Sequence, residues 1–184
     1  MGELSEYRQP HGKFAFHETD PENRESIRKH GIQRTEDSGV DITNIDTVLQ
    51  ELGYTDPFPF DRTEATYCHL DVEYIQEANE EFGTLISAVT VVVAVDEISA
   101  PMYLADMSLI SDLIEYLYDG STVMFHADSP EEIVRRYRKS ITPVESVADI
   151  CADSTDRNHT ELVIDGDIPP SAIIEICSID SQTN

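Results

Sequence analysis

The stretch Thr160-Glu161-Leu162-Val163-Ile164-Asp165-Gly166-Asp167-Ile168-Pro169-Pro170-Ser171-Ala172-Ile173-Ile174-Glu175-Ile176 carries the most informative carboxylate of the chain. It reads as a short strand, a glycine turn, a Pro-Pro corner and a second, Ile-rich strand. Glu161 opens the first strand just after a polar, loop-like run over 153–159, a placement that suits a carboxylate held rigidly while facing a cleft. Near the other end, Phe16-His17-Glu18-Thr19 sets an imidazole and a hydroxyl at the tip of a short apolar strand. Tyr67, and Tyr103 within Pro101-Met102-Tyr103-Leu104-Ala105-Asp106, are candidate aromatic faces. The same residues also fit plainer roles: a polar strand end, a core aromatic and a surface carboxylate.

Other chemistries lack their residues. There is no Gly-rich phosphate loop before Lys-Ser/Thr, no GxGxxG, no His-Glu-x-x-His, no calcium loop and no GxSxG elbow. The six His residues show no ligand spacing, so no metal site is expected. Cys68, Cys151 and Cys177 are scattered and odd in number, which argues against a zinc site or a disulfide framework and for small core residues.

The elements that would position these groups can be read in order. Phe14 to His17 reads as a strand, followed by a helix with Asp20 as cap, Pro21 at its first position and Gly31 as its stop. Arg28, Lys29 and His30 then fall in the last turn, where cations complement the helix dipole. A short helix is expected over 45–52, a loop at Pro57 and Pro59, a strand over 63–70 and a helix over 71–82. The Val-rich run over 85–95 is apolar on both faces and reads as an inner strand. A helix over 107–118 and a strand over 122–126 follow. Ser129-Pro130-Glu131-Glu132 then makes a capping box for a helix reaching Lys139. The pattern over 144–150 is ambiguous between helix and strand. About six strands and five helices in mixed order favour an α+β fold in a single domain over 1–184.

Composition adds a condition on the surroundings. The 184-residue chain carries 37 acidic and 12 basic residues, for a formal charge of −25. The acid is spread along the whole chain, as on a surface adapted to very high salt, where a screening length of about 3 Å at 1 M quenches self-repulsion. A salt-filled cytoplasm, or a virion from a host that has one, is the expected setting. Such a charge disfavours nonspecific contact with nucleic acid or anionic membranes. No segment is long and apolar enough to span a bilayer, and no apolar run follows Met1 as a signal peptide would. Arg135, Arg136, Arg138 and Lys139 are the exception, read either as cations at a helix end or as a docking patch for nucleic acid, a diphosphate or an acidic partner.

Taken together, the segments resemble the ADP-ribosyltransferase-like domains of the His-Tyr-Glu type, in a halophilic form. His17-Glu18-Thr19, with the helix that ends at His30-Gly31-Ile32, is similar to the family's opening motif. Tyr67, on a strand ahead of the Val89 to Val95 run, looks like its middle motif. Glu161 to Ile176 is similar to its last motif, in which the catalytic Glu starts a strand before a Gly-Ile-Pro-Pro corner. The resemblance implies a mainly antiparallel split sheet with flanking helices, and makes 33–62 an insertion that could lie as a lid over a cleft.

It also implies NAD as substrate and a protein or nucleic-acid acceptor. Glu161 would bond the ribose 2′-hydroxyl and stabilise an oxocarbenium-like transition state. His17 and Thr19 would hold the ribose, and Tyr67 or Tyr103 would stack on the nicotinamide. Glu18 departs from the family's usual Gly, and His159 stands where arginine-modifying members carry a second Glu. A catalytically inactive module of the same fold, binding or structural, is the alternative. The active reading requires the two ends of the chain to meet, so that His17 and Glu161 share one groove.

Overall fold

Strand alternation builds two cores on one sheet. The computed structural model describes residues 7, 13–34, 58–62, 64–71, 89–109, 129–152 and 160–178. Within them, β1 (Phe14–Thr19), β2 (Thr66–His69), β3 (Val89–Ala94), β4 (Met102–Asp106), β5 (Thr142–Val144), β6 (Thr160–Ile164) and β7 (Ile173–Ser178) form a seven-stranded sheet. Its order is β5-β4-β6-β2-β1-β3-β7, and every pairing is antiparallel. With helices α1 (Arg24–His30), α2 (Pro130–Ser140) and α3 (Val147–Ala152), this is the mixed α+β architecture with an antiparallel sheet that the sequence led us to expect. Among the described residues no helix is long and apolar enough to cross a membrane.

Ala15, Cys68, Val91, Val93, Leu162 and Ile164 point into a first core, closed by Ile27 of α1, Ile150 of α3 and Ile168 and Ala172 of the Pro-Pro corner. Phe16 and Val92 point the other way, as do Ala105 and Val163, which meet Ile133, Val134 and Tyr137 of α2 and Phe60. All six residues of β3 are buried, which explains its unbroken apolar sequence. Phe16 with His69 is the single register pair between β1 and β2, whereas β1 and β3 share six. The two halves of the sheet therefore meet at a thin seam and stay joined there.

Local differences have local causes. The first helix begins with a 3-10 turn over Pro21–Asn23, and the Asp20 side chain makes no capping bond; its backbone carbonyl accepts from Asn23 N–H instead (3.0 Å). Met102–Asp106 is a strand that the sequence did not announce, and the ambiguous 144–150 stretch resolves into β5 followed by α3. Pro143 is tolerated because β5 is an edge strand. Of the helix expected over 107–118, residues 107–109 are described and helical. The elements expected over 45–52, 72–82 and 122–126 lie outside the described residues, as does most of 33–62.

At α2, Pro130 takes the first helical position and Ser129 Oγ accepts from Glu132 N–H at 3.4 Å. The expected reciprocal bond is not made, because the Glu132 carboxylate turns to Arg135. Ser129→Ala should lower stability by about 1 kcal/mol in denaturant titrations. An unchanged midpoint would show that this cap contributes nothing.

Candidate active site

Glu161 is the second residue of β6, where alternation turns it toward α2, opposite His69 on β2 and Ala105 on β4. Its residue exposure is only 6%. The Tyr137 hydroxyl donates to Glu161 Oε1 (3.0 Å) and accepts from Arg62 Nη1 (2.8 Å). Arg62, itself 4% exposed, lies over three rings, with its guanidinium carbon 5.5 Å from the centroid of Phe58, 5.8 Å from Tyr67 and 5.2 Å from Tyr137. Tyr67 Oη closes the loop by donating to the Arg62 carbonyl (2.8 Å).

These contacts set the electrostatics. Burial pushes the Glu161 carboxyl above the usual carboxylate range; the Tyr137 hydrogen bond and the Arg62 and His69 charges pull it down, and Asp106 adds to the rise. Burial, with the Glu161 charge nearby, likewise raises the Tyr137 phenol, which stays a neutral donor. His69 Nε2 lies 3.7 Å from Glu18 Oε2, so an imidazole stands between two carboxylates on this face. Glu18, the residue in place of the family's Gly, thus faces His69.

His17 is built differently. Ala15 and Val91 beside it belong to the first core, so His17 lies on the face of the sheet opposite Glu161. Its Nδ1 is 3.0 Å from the Tyr67 carbonyl across the thin seam, and since a carbonyl only accepts, Nδ1 carries the proton. Burial lowers its pKa, only partly offset by that bond, which favours the neutral ring. Thr19 shares that face, and its Oγ1 accepts from Asn23 Nδ2 (3.0 Å).

The chain ends come together, since β1 and β6 flank β2, but the expected shared groove is not formed, because strand alternation turns His17 and Glu161 to opposite faces of the sheet. Tyr67, Tyr103 and Glu161 share one face; His17 and Thr19 occupy the other. Tyr103 Oη donates to the Pro59 carbonyl (3.2 Å) and its ring meets Phe60 at 5.3 Å. The tail of the expected insertion, 58–62, therefore packs over the same face as Glu161. Arg138 lies over Phe58 (5.3 Å) and Arg135 pairs with Glu132, so part of the basic cluster is engaged in packing and helix pairing.

Sequence reading missed Tyr137, Arg62, Phe58 and His69. His69 was within reach, two residues from Tyr67 and so on its face. Tyr137 sits on the apolar stripe of α2, one turn after Ile133, where nothing local marks it as the partner of a carboxylate 24 residues on. Cys68 and Cys177 are buried core thiols; burial pushes Cys68 up to about 12, so it is inert as a nucleophile. Among the described residues no group of three His, Cys, Asp or Glu converges to hold a metal. No family model, curated protein or solved structure matches the chain.

Proposed function

We propose that this chain is an ADP-ribosyltransferase-like domain that acts on NAD, with Glu161 as its catalytic carboxylate. The observation that carries the reading is a buried carboxylate at the head of β6, the one buried carboxylate among the described residues, which accepts from the Tyr137 hydroxyl. The bond between nicotinamide and ribose breaks with its electron pair leaving on the nicotinamide nitrogen, and positive charge grows on the sugar. A carboxylate in a dry site stabilises that charge far better than one in water.

Ionised Glu161 is the active form, so turnover falls as pH drops through its raised pKa. Tyr67 presents a face for the departing ring, with Tyr103 beside it. His17, bonded to the Tyr67 carbonyl, fixes the strand that carries this ring. Its role is positional in this arrangement, and the direct ribose contacts expected of His17 and Thr19 form no part of this reading, because both lie on the face opposite Glu161. An acceptor protein or nucleic acid supplies the nucleophile, loses its proton on attack, and docks by Arg135, Arg136, Arg138 and Lys139 of α2. The acidic surface suits work in a salt-filled cytoplasm or a virion.

The test is nicotinamide release from NAD at molar salt, followed by chromatography. Glu161→Gln should reduce release by at least about tenfold, while Glu175→Gln, on β7, leaves it unchanged. Loss in both variants, or in neither, overturns the assignment of Glu161. The 6% exposure of Glu161 favours a second reading, a non-catalytic binding or structural module of the same fold. Wild-type protein that neither binds nor splits NAD with any acceptor supports that module instead.

A further inference from the structure

Beyond Tyr137 and Arg62, Glu161 has neighbours on the strands beside it. His69 of β2 stands directly opposite Glu161 in the β2–β6 register, a placement that holds the two Cβ atoms about 4.5–5.5 Å apart. Glu18, two residues after Phe16, shares their face of the sheet, and its Oε2 lies 3.7 Å from His69 Nε2. The three make a row: a half-buried carboxylate, a half-buried imidazole and a buried carboxylate. A positive charge in the middle of that row offsets what desolvation costs the inner carboxylate.

Among the described residues, the ionisable groups around Glu161 are Tyr137 of α2, Arg62, His69 of β2 and Asp106 of β4. Those around His69 are Glu18 of β1, Glu161 of β6, Tyr67 on its own strand and, from the opposite face, His17. Arg62 is charged at every pH the fold meets, whereas an imidazole gains and loses its charge. His69 is therefore the neighbour that can make Glu161 responsive.

We infer that His69 is a positioning residue for the charge on Glu161: as the imidazolium it keeps Glu161 ionised in its dry place, and Glu18 acts on Glu161 through it as the outer counter-charge. The inference rests on the proposed NAD chemistry for its effect on turnover, while the coupling itself belongs to the free protein. Glu18 then has two opposed effects. Through space its negative charge disfavours a second carboxylate; through His69 it supports the cation that favours one. The second prevails while the imidazole is present, and the first once a neutral residue replaces it.

The test is a pH titration of the Glu161 carboxyl carbon by NMR at molar potassium chloride. His69→Gln should move the Glu161 midpoint up by at least about 0.5 on the pH scale, and His69→Lys, which keeps a cation there, should bring it back. Glu18→Gln alone should also move the midpoint up, but in the His69→Gln background it should move it down. A midpoint that stays in place in His69→Gln of native near-ultraviolet circular dichroism overturns the inference, as does a Glu18→Gln shift of the same sign in both backgrounds.

A measurement without any variant covers the case in which these fail to fold. In the wild type the Glu161 carboxyl signal should show a second inflection where the His69 ring titrates, and a curve blind to that ring overturns the coupling. NAD splitting separates the two proposals. An acid limb of nicotinamide release that moves to higher pH in His69→Gln, in step with the carboxyl, supports both. A shifted carboxyl with no NAD splitting keeps the coupling and removes the transferase reading. Release from the wild type with an unshifted carboxyl in the variants keeps the transferase and removes the coupling.

Discussion

Gly31→Ala should lower stability by about 3 kcal/mol, a change comparable to emptying part of the core. Gly31 ends α1 with φ at +77°, the region that L residues avoid, and its N–H caps the helix on the Ile27 carbonyl (2.8 Å). Conformation is the smaller part of the cost. A Cβ there would stand 1.9 Å from the Ile168 carbonyl oxygen and 2.9 Å from backbone atoms of Pro169 and Pro170. None of these is a side-chain end that can swing away. The next residue, Ile32, exchanges two backbone hydrogen bonds with Ile168 (3.0 and 2.8 Å), so relief requires breaking the contact that ties the first helix to the Pro-Pro corner. Thermal unfolding at fixed molar salt should show the midpoint falling by about 6–12 °C. A drop under about 2 °C would mean that the corner yields easily and that the close approach is not a constraint.

Tyr137→Phe should cost about 2–3 kcal/mol at neutral pH, because one oxygen serves both a buried carboxylate and a buried guanidinium. The control is Tyr103→Phe, whose hydroxyl bonds an exposed carbonyl and should matter by less than about 1 kcal/mol. The penalty also has a direction in pH. The folded-state pKa of Glu161 is raised by burial, so stability is greatest where the group is protonated in both states and falls as pH rises through the folded pKa. The Tyr137 hydrogen bond favours the ionised form. Its loss raises that pKa further, and Tyr137→Phe should lose more stability at pH 8 than at pH 5. A penalty that is flat across this range would show that Glu161 does not titrate with its hydroxyl partner.

What the sequence disclosed follows from which interactions are local. The Gly31 stop of the first helix, the Ser129 cap and the Pro-Pro corner are each written within a few neighbouring residues and appear as read. The Pro21 start instead becomes a 3-10 turn without the Asp20 side-chain cap, and the Ser129 box lacks its reciprocal bond. Met102–Asp106 was missed because Met, Leu and Ala carry little strand preference; pairing with β5 and β6 makes it a strand. The candidate site was legible by halves. Glu161 could be singled out from its position at the head of a strand.

Its relation to His17 could not. The facing of a side chain depends on register, and one residue of slip sends it to the other side of the sheet. The Arg62–Tyr137–Glu161 chain joins three segments far apart in sequence. In isolation each looks like ordinary packing: a basic residue after an aromatic turn, a Tyr on an amphipathic helix, an acid on a strand.

Brine acts unevenly on this molecule. At molar ionic strength the exposed bridges, such as Arg28 with Glu25, sit inside a dense ionic atmosphere and retain little of their attraction. Arg62 and Glu161 are both buried and joined through the Tyr137 hydroxyl, so mobile ions screen their coupling far less. The same medium that quiets the acidic exterior thus leaves this hydroxyl-bridged pair, among the described residues, as a charge coupling that brine hardly touches.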